Sequence, residues 1–255
     1  MPPRQIPSCP AGGLRQHVPM TRLLFLVLLL AAPGLAGADP DPNKPVPVPG
    51  VMQQMVWENS NLSDFRLEGI VRTEKSLHPI VLKTRGREMV YEFLKKPLQI
   101  RVVMTESGSV IQRRTSPKAE WTMVSGKARL EKILDSDVAY EDLGLDFLRW
   151  YQVRAIGADG IKTLPAWAYE AIPPVQSNYA KARYWVSSEY LAVLRVDAFN
   201  AEGKVIKRVE VNGVMKVGKV YTIKEMQIST VIPGRDLSAS RTYIEIRKAE
   251  PGSGL

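Results

Sequence analysis

Apolar and polar residues alternate at a spacing of two through most of the chain from Phe65 onward. Phe65, Leu67, Gly69 and Val71 fall on one face, with Arg66, Glu68 and Arg72 on the other, the pattern of a half-buried strand. The same period predicts strands at Ile80 to Thr84, Met89 to Phe93, Leu98 to Thr105, Val110 to Arg114 and Glu120 to Val124. It returns at Gln152 to Ile156, Trp167 to Ile172, Ala182 to Val186, Tyr190 to Phe199, Lys204 to Val211, Tyr221 to Val231 and Arg241 to Arg247. Short turns rich in Gly and Asn separate them: Arg85-Gly86-Arg87, Ser107-Gly108-Ser109, Gly157-Ala158-Asp159-Gly160, Asn200-Ala201-Glu202-Gly203 and Asn212-Gly213. Such turns join antiparallel neighbours, whereas parallel strands need long crossovers.

Two stretches break the alternation. Val51 to Asn59 reads as a short helix with Val51 and Met55, joined by Met52 and Val56, along one face. Asp137 to Tyr151 carries Tyr140, Leu143, Phe147 and Tyr151 at three- and four-residue spacing, with Asp137 placed to cap its first turn. Gly144 near its midpoint weakens a helix by about 1 kcal/mol relative to Ala, which predicts a bend or break into two short helices. A meander of ten or more strands must curl or close to bury a face. The expected fold is therefore mainly β with some α: a highly curved antiparallel sheet forming an incomplete barrel, with short helices over its concave face. The Asp137 helix is then either a plug of ordinary core or a lid over a cavity.

The front of the chain is different in kind. Thr21-Arg22, the apolar run Leu23 to Leu30, and the small residues Ala36-Gly37-Ala38 have the three-part build of a secretory signal peptide. The alternative is an uncleaved anchor, although the run is short for a span. Met20 is an alternative start. Prolines alternate from Pro40 to Pro49, so residues 39–50 read as an extended linker. Residues 51–248 read as one domain and 249–255 as a flexible tail. Asn61-Leu62-Ser63 matches the glycosylation pattern, which is common by chance.

Loss of residues 1–38 would remove three arginines and no acid, taking the formal charge from +9 to +6. The basic residues are scattered, with no cluster of interleaved aromatics, so nucleic acid is not an expected partner. The one cysteine, Cys9, lies in the leader, and beyond the leader the one histidine is His78. A thiol nucleophile, a Cys/His zinc site and disulfides are thereby removed from consideration. His78 precedes Pro79 and reads as a turn residue at a strand edge. The densest acids, Asp135 with Asp137 and Glu141-Asp142, sit where a helix start favours acids. No enzyme, cofactor or metal is expected. Candidate residues for a ligand cavity are Tyr91, Phe93, Ile100, Val102, Met104, Tyr140, Leu143, Phe147, Trp150, Tyr184 and Val193, since pockets are lined by the residue types that also build cores.

The order of several stretches resembles a known family. Tyr91-Glu92-Phe93-Leu94-Lys95-Lys96-Pro97-Leu98-Gln99-Ile100-Arg101 is followed by Ser136-Asp137-Val138-Ala139-Tyr140-Glu141-Asp142-Leu143. Then come Tyr179-Ala180-Lys181-Ala182-Arg183-Tyr184-Trp185-Val186 and Val196 to Lys204. Together they are similar to the bacterial outer-membrane lipoprotein-sorting proteins, the LolA-like group, over most of residues 51–248. The resemblance implies a periplasmic, monomeric half-barrel that binds lipid acyl chains or a lipoprotein, with helices as a lid and an acceptor protein at the inner or outer membrane. The Pro-rich leader and the basic charge depart from that pattern. The competing function is a cell-envelope interaction or sensor module with the same fold and no lipid cargo.

Overall fold

The computed structural model describes residues 45–252 apart from 60–61, 175–176 and 218–219. The leader, the linker up to Lys44, Asn61 of the glycosylation pattern and the last three residues lie outside the described residues. One α-helix, α1 (Pro49–Asn59), precedes thirteen strands. The first group is β1 (Leu62–Arg72), β2 (Leu77–Gly86), β3 (Glu88–Phe93), β4 (Leu98–Thr105), β5 (Gly108–Arg114) and β6 (Thr122–Met123). After an interruption come β7 (Gln152–Ile161), β8 (Leu164–Ile172), β9 (Lys181–Ser187), β10 (Val193–Phe199), β11 (Val205–Val217), β12 (Val220–Val231) and β13 (Ser238–Pro251).

All thirteen form one antiparallel sheet in the order β6-β5-β4-β3-β2-β1-β13-β12-β11-β10-β9-β8-β7. It is open: β6 and β7 are its edges, and the first and last strands meet in the middle. Register shifts at Glu68/Gly69 and Ala155/Gly157 are bulges that add curvature. Gly69 is required at the first, because a Cβ there would lie 2.3 Å from the carbonyl oxygen of Glu245. Two expected turns are absent. Residues 157–160 continue β7, and Asn212-Gly213 is an irregularity within β11. β13 continues through Pro251.

The concave face carries the core. Leu67, Leu82, Met89, Ile100, Val102, Ile228, Ile244 and Ile246 belong to one apolar cluster, and Tyr169, Tyr184, Val186 and Val196 to a second. α1 lies on the second cluster through Met52, which is fully buried, and Val56, two of the residues expected on its apolar face, whereas Val51 is exposed. Val46 joins this cluster, and Tyr169 Oη donates to the Pro47 carbonyl at 2.9 Å, so the end of the proline-rich segment is fixed against the sheet. Among the described residues no helix is long and apolar enough to cross a membrane.

The convex face over β7–β11 is laced by ion pairs. Glu170, 7% exposed, accepts from Arg154 at 2.8 Å, Lys181 at 2.8 Å and Arg183 at 3.2 Å. Burial raises its carboxyl, but the bonds from Lys181, Arg154 and Arg183 outweigh that and hold the pKa at about 2. A depressed carboxylate contributes stability above its unfolded value of 4.5, and that contribution is lost as pH falls toward 2. Glu170→Gln is therefore expected to lower stability at neutral pH and to flatten the loss of stability between those two values. Urea titrations of both proteins across this window check it. Parallel pH curves for the two would count against it.

Candidate functional site

Because the interruption between β6 and β7 joins the two edges of the sheet, residues 124–151 must cross it. They do so over the concave face. The crossing segment holds three short 3₁₀ helices, Gly126–Leu130, Tyr140–Gly144 and Asp146–Arg149. The single amphipathic helix expected at Asp137 to Tyr151 is thus replaced by two short ones, as Gly144 suggested, but each is 3₁₀ and the break falls one residue later. Leu145 takes the left-handed conformation, with φ 50°. The start also differs from expectation. The helix is capped by Asp142, whose Oδ2 accepts the Ala139 amide at 2.6 Å, and Asp137 is used elsewhere.

Four acids bind this segment to its surroundings. Asp137, 4% exposed, accepts hydroxyl bonds from Thr230 (2.5 Å), Ser240 (2.5 Å) and Thr242 (3.0 Å), and its amide donates to Thr242 Oγ1 (2.8 Å). Burial raises its carboxyl, but the three hydroxyls and Lys132 together bring it below the usual value. Asp142 accepts from Lys207 Nζ and Tyr179 Oη, both at 2.6 Å. Glu141 accepts from Ser177 at 2.9 Å, and burial nevertheless pushes its carboxyl up. Asp146 accepts from Arg129 at 2.5 Å and Ser109 at 3.0 Å. These acids are fastenings, and each has its lone pairs in use.

Between the segment and the sheet lies a cavity of about 540 Å³. Its floor is built by Leu67, Leu82 and Met89 on one side and Val196, Val209, Met226, Ile228, Ile244 and Ile246 on the other, and its roof by Val138, Leu143, Leu145, Phe147 and Trp150. Of the residues expected to line a cavity, Tyr91, Met104, Leu143, Phe147, Trp150 and Val193 do so. Phe93 and Ile100 instead border a separate void of about 20 Å³ with Tyr91 and Leu143. Val102, Tyr140 and Tyr184 border neither and are buried core. Tyr184 stacks on Tyr169 at 5.7 Å and meets Phe147 at 5.1 Å, so it supports the roof from below. Burial alone lifts the Tyr91 phenol to about 12, which keeps it neutral in the cavity wall.

Of the charged and phenolic groups of the lining, Glu141 and Asp142 read in the sequence only as helix-start acids, and Arg129, Asp146, Tyr179, Arg195 and Lys207 carry no spacing signal there. The β12 and β13 lining was visible in the spacing of Met226 with Ile228 and of Ile244 with Ile246.

His78 lies within β2, 6% exposed, and not in a turn. Its Nε2 is 2.5 Å from Asp135 Oδ1 and 2.9 Å from Ser76 Oγ, while Ser76 Oγ donates directly to Asp135 Oδ2 at 2.5 Å. Both contacts use one ring nitrogen and the hydroxyl proton goes to the carboxylate, so the arrangement does not activate Ser76 as a nucleophile. It ties the loop before Asp137 to the β1–β2 turn. Among the described residues no group of three or more His, Cys, Asp or Glu is placed to hold a metal.

A family model described as "Uncharacterized protein" matches residues 118–255, more than half of the chain. The chain belongs to that family. The match spans the crossing segment and all of β6–β13. No curated protein matches. Among solved structures, an outer membrane lipoprotein-sorting protein domain from Vibrio parahaemolyticus is similar at 14% identity and TM-score 0.68, covering 80% of this chain and 92% of that one. A DUF1329 family protein from Desulfovibrio piger is similar at 15% identity and TM-score 0.61, covering 81% and 93%. A LolA superfamily protein from Nitrosomonas europaea follows at 12% identity and TM-score 0.56, covering 80% and 94%. At such identities the likeness establishes the fold, which is LolA-like.

Proposed function

We propose that the protein is a periplasmic carrier that holds acyl chains of a lipid or lipoprotein in the cavity beneath the crossing segment. The observation that carries this reading is the cavity itself, about 540 Å³ of mainly apolar space. Protein interiors are close-packed and leave few voids larger than a water, whereas ligand pockets run to roughly 300–1,000 Å³. Each methylene moved from water into such a space contributes about 0.8 kcal/mol. The LolA-like fold and the lipoprotein-sorting description of the Vibrio parahaemolyticus domain support cargo of this class. The signal-like residues 1–38 and the linker 39–50 support export of a domain over 51–248. In this reading the protein works as a monomeric binding protein, not an enzyme, and hands its cargo to an acceptor at the inner or outer membrane.

Protein purified without detergent is expected to carry lipid in native mass spectrometry and to take up a fluorescent fatty acid. Val209→Trp, which projects an indole into the cavity from β11, is expected to weaken that uptake by roughly tenfold or more with an unchanged circular dichroism spectrum. A clean apo mass together with no probe uptake by the wild type would overturn the carrier reading in favour of the cargo-free interaction module.

A further inference from the structure

An open sheet edge is a row of unpaired amides and carbonyls, which proteins commonly blunt with Lys, with Pro or by keeping the strand very short. Of the two edges here β6 has only 2 residues, whereas β7 runs for 10 with no Lys and no Pro. Among the described residues no strand pairs with its outer side. Arg154, Ala155, Ile156, Ala158 and Asp159 are exposed, and Tyr151 and Ile172 add exposed apolar surface beside its start. The segment before α1 is too rich in proline to supply the missing strand, because each proline lacks an amide donor.

The charges on this edge select its partner. β7 carries one base, Arg154, and one acid, Asp159. They are an odd number of positions apart, so in an unbroken strand they would point to opposite faces. The bulge between Ala155 and Gly157 changes that, since Arg154 lies opposite Glu170 and Asp159 opposite Ala166, two positions on one face of β8. Arg154 donates to Glu170 at 2.8 Å, and Asp159 accepts from Trp185 Nε1 at 2.7 Å. Both therefore stand on the convex face.

A second β7 laid antiparallel along the first, with a two-fold axis between Ile156 and Gly157, sets Arg154 of each copy opposite Asp159 of the other. Ala155 then falls opposite Ala158 and Val153 opposite Gly160, small residues that let the two backbones approach. The edge is complementary to itself, as a two-fold interface requires. The Arg154 side chain is 67% exposed and bonds Glu170 through Nε and Nη2, which leaves Nη1 for a second carboxylate.

We propose that β7 is a docking edge for a second copy of this chain, paired antiparallel about that axis and held by Arg154–Asp159 ion pairs on the convex face. This goes beyond the carrier reading, in which one chain is the working unit. Each copy keeps its own cavity, and the pair is an assembly of two such units.

Analytical ultracentrifugation of the full chain is expected to show a reversible dimer, and amide exchange to slow across β7 as concentration rises while that of β6 is unchanged. Arg154→Glu and Asp159→Lys are each expected to weaken the dimer by roughly tenfold or more, since each sets like charges opposite one another twice. An equimolar mixture of the two variants is expected to dimerise again, because in the mixed pair every charge faces its opposite. A wild type that stays monomeric at every concentration would overturn the proposal, and so would a dimer in which β7 exchanges as fast as in the monomer. Single variants that dimerise as tightly as the wild type, or a mixture that is folded by circular dichroism and fails to dimerise, would overturn this register and its ion pairs. The exchange measurement needs the wild type alone, so it decides even where a variant fails to fold.

Discussion

Asp137→Ala is expected to lower stability by about 3–5 kcal/mol, the cost of breaking a buried charged network from one side. Three hydroxyls from two strands, Thr230 on β12 and Ser240 and Thr242 on β13, converge on this one carboxylate. Without it the buried Thr242 and the half-buried Thr230 and Ser240 are left with fewer partners, and the loop that leads into the roof of the cavity loses its attachment to the floor. Asp137→Asn, which keeps one acceptor oxygen, is expected to fall between wild type and Ala. Urea denaturation at neutral pH measures both. A loss below about 1 kcal/mol for Ala would mean that the hydroxyls find other partners and that the cage is incidental. Since the folded carboxyl lies below its usual value, the contribution is present above the unfolded value and fades as pH falls through the folded one. The Asp137→Ala deficit should therefore shrink in acid.

Gly144→Ala is expected to cost about 1–3 kcal/mol, as overpacking does, and to lift the roof locally. A Cβ at that position would stand 2.0 Å from Ser109 Oγ, 2.6 Å from Ser109 Cβ and 2.8 Å from Asp146 Oδ1. No rotamer of Ser109 relieves the contact with its own Cβ, so the segment must move away from β5 and take with it the bonds of Asp146 to Ser109 and Arg129. Ser109→Gly in the same chain removes the obstacle and should restore part of the loss. A double-mutant cycle therefore gives a coupling energy of opposite sign to the single loss. Additive effects, or full thermal stability in Gly144→Ala, would refute the close approach as the reason for glycine here. Faster amide exchange across the two 3₁₀ helices of the variant would locate the movement.

The strands were legible because a half-buried sheet writes its period directly into the chain. Leu98 to Thr105 and Val110 to Arg114, read from alternation alone, match β4 and β5 almost residue for residue. The turn residues misled where the sheet uses them for curvature. Gly157, expected in a turn, sits at a bulge inside β7 with φ 154°. The crossing segment was legible in its apolar spacing and illegible in its geometry, since Tyr140, Leu143 and Phe147 suit one α-helix as well as two 3₁₀ turns. What decided between them is the proximity of Ser109, distant in sequence. His78 was misread for a similar reason, because its burial depends on Asp135 folding back over it. In the cavity, residue type could not separate lining from core. Tyr91 and Val102 face the same side of neighbouring strands, yet one borders the hollow and the other is packed over.

The pairing of β1 with β13 has a consequence for the order in which the chain acquires its structure. β1–β6 and β7–β13 are each meanders of neighbours in sequence, and such local pairings form early. The seam between them, from Phe65↔Pro251 to Arg72↔Tyr243, joins strands separated by nearly the whole length of the fold. It cannot close until β13 has been synthesised. Until then two half-sheets present four open edges and no cavity exists, since its floor is shared between Leu67 and Leu82 on one half and Ile228 and Ile244 on the other. The cavity therefore exists only in a chain that has been made through β13.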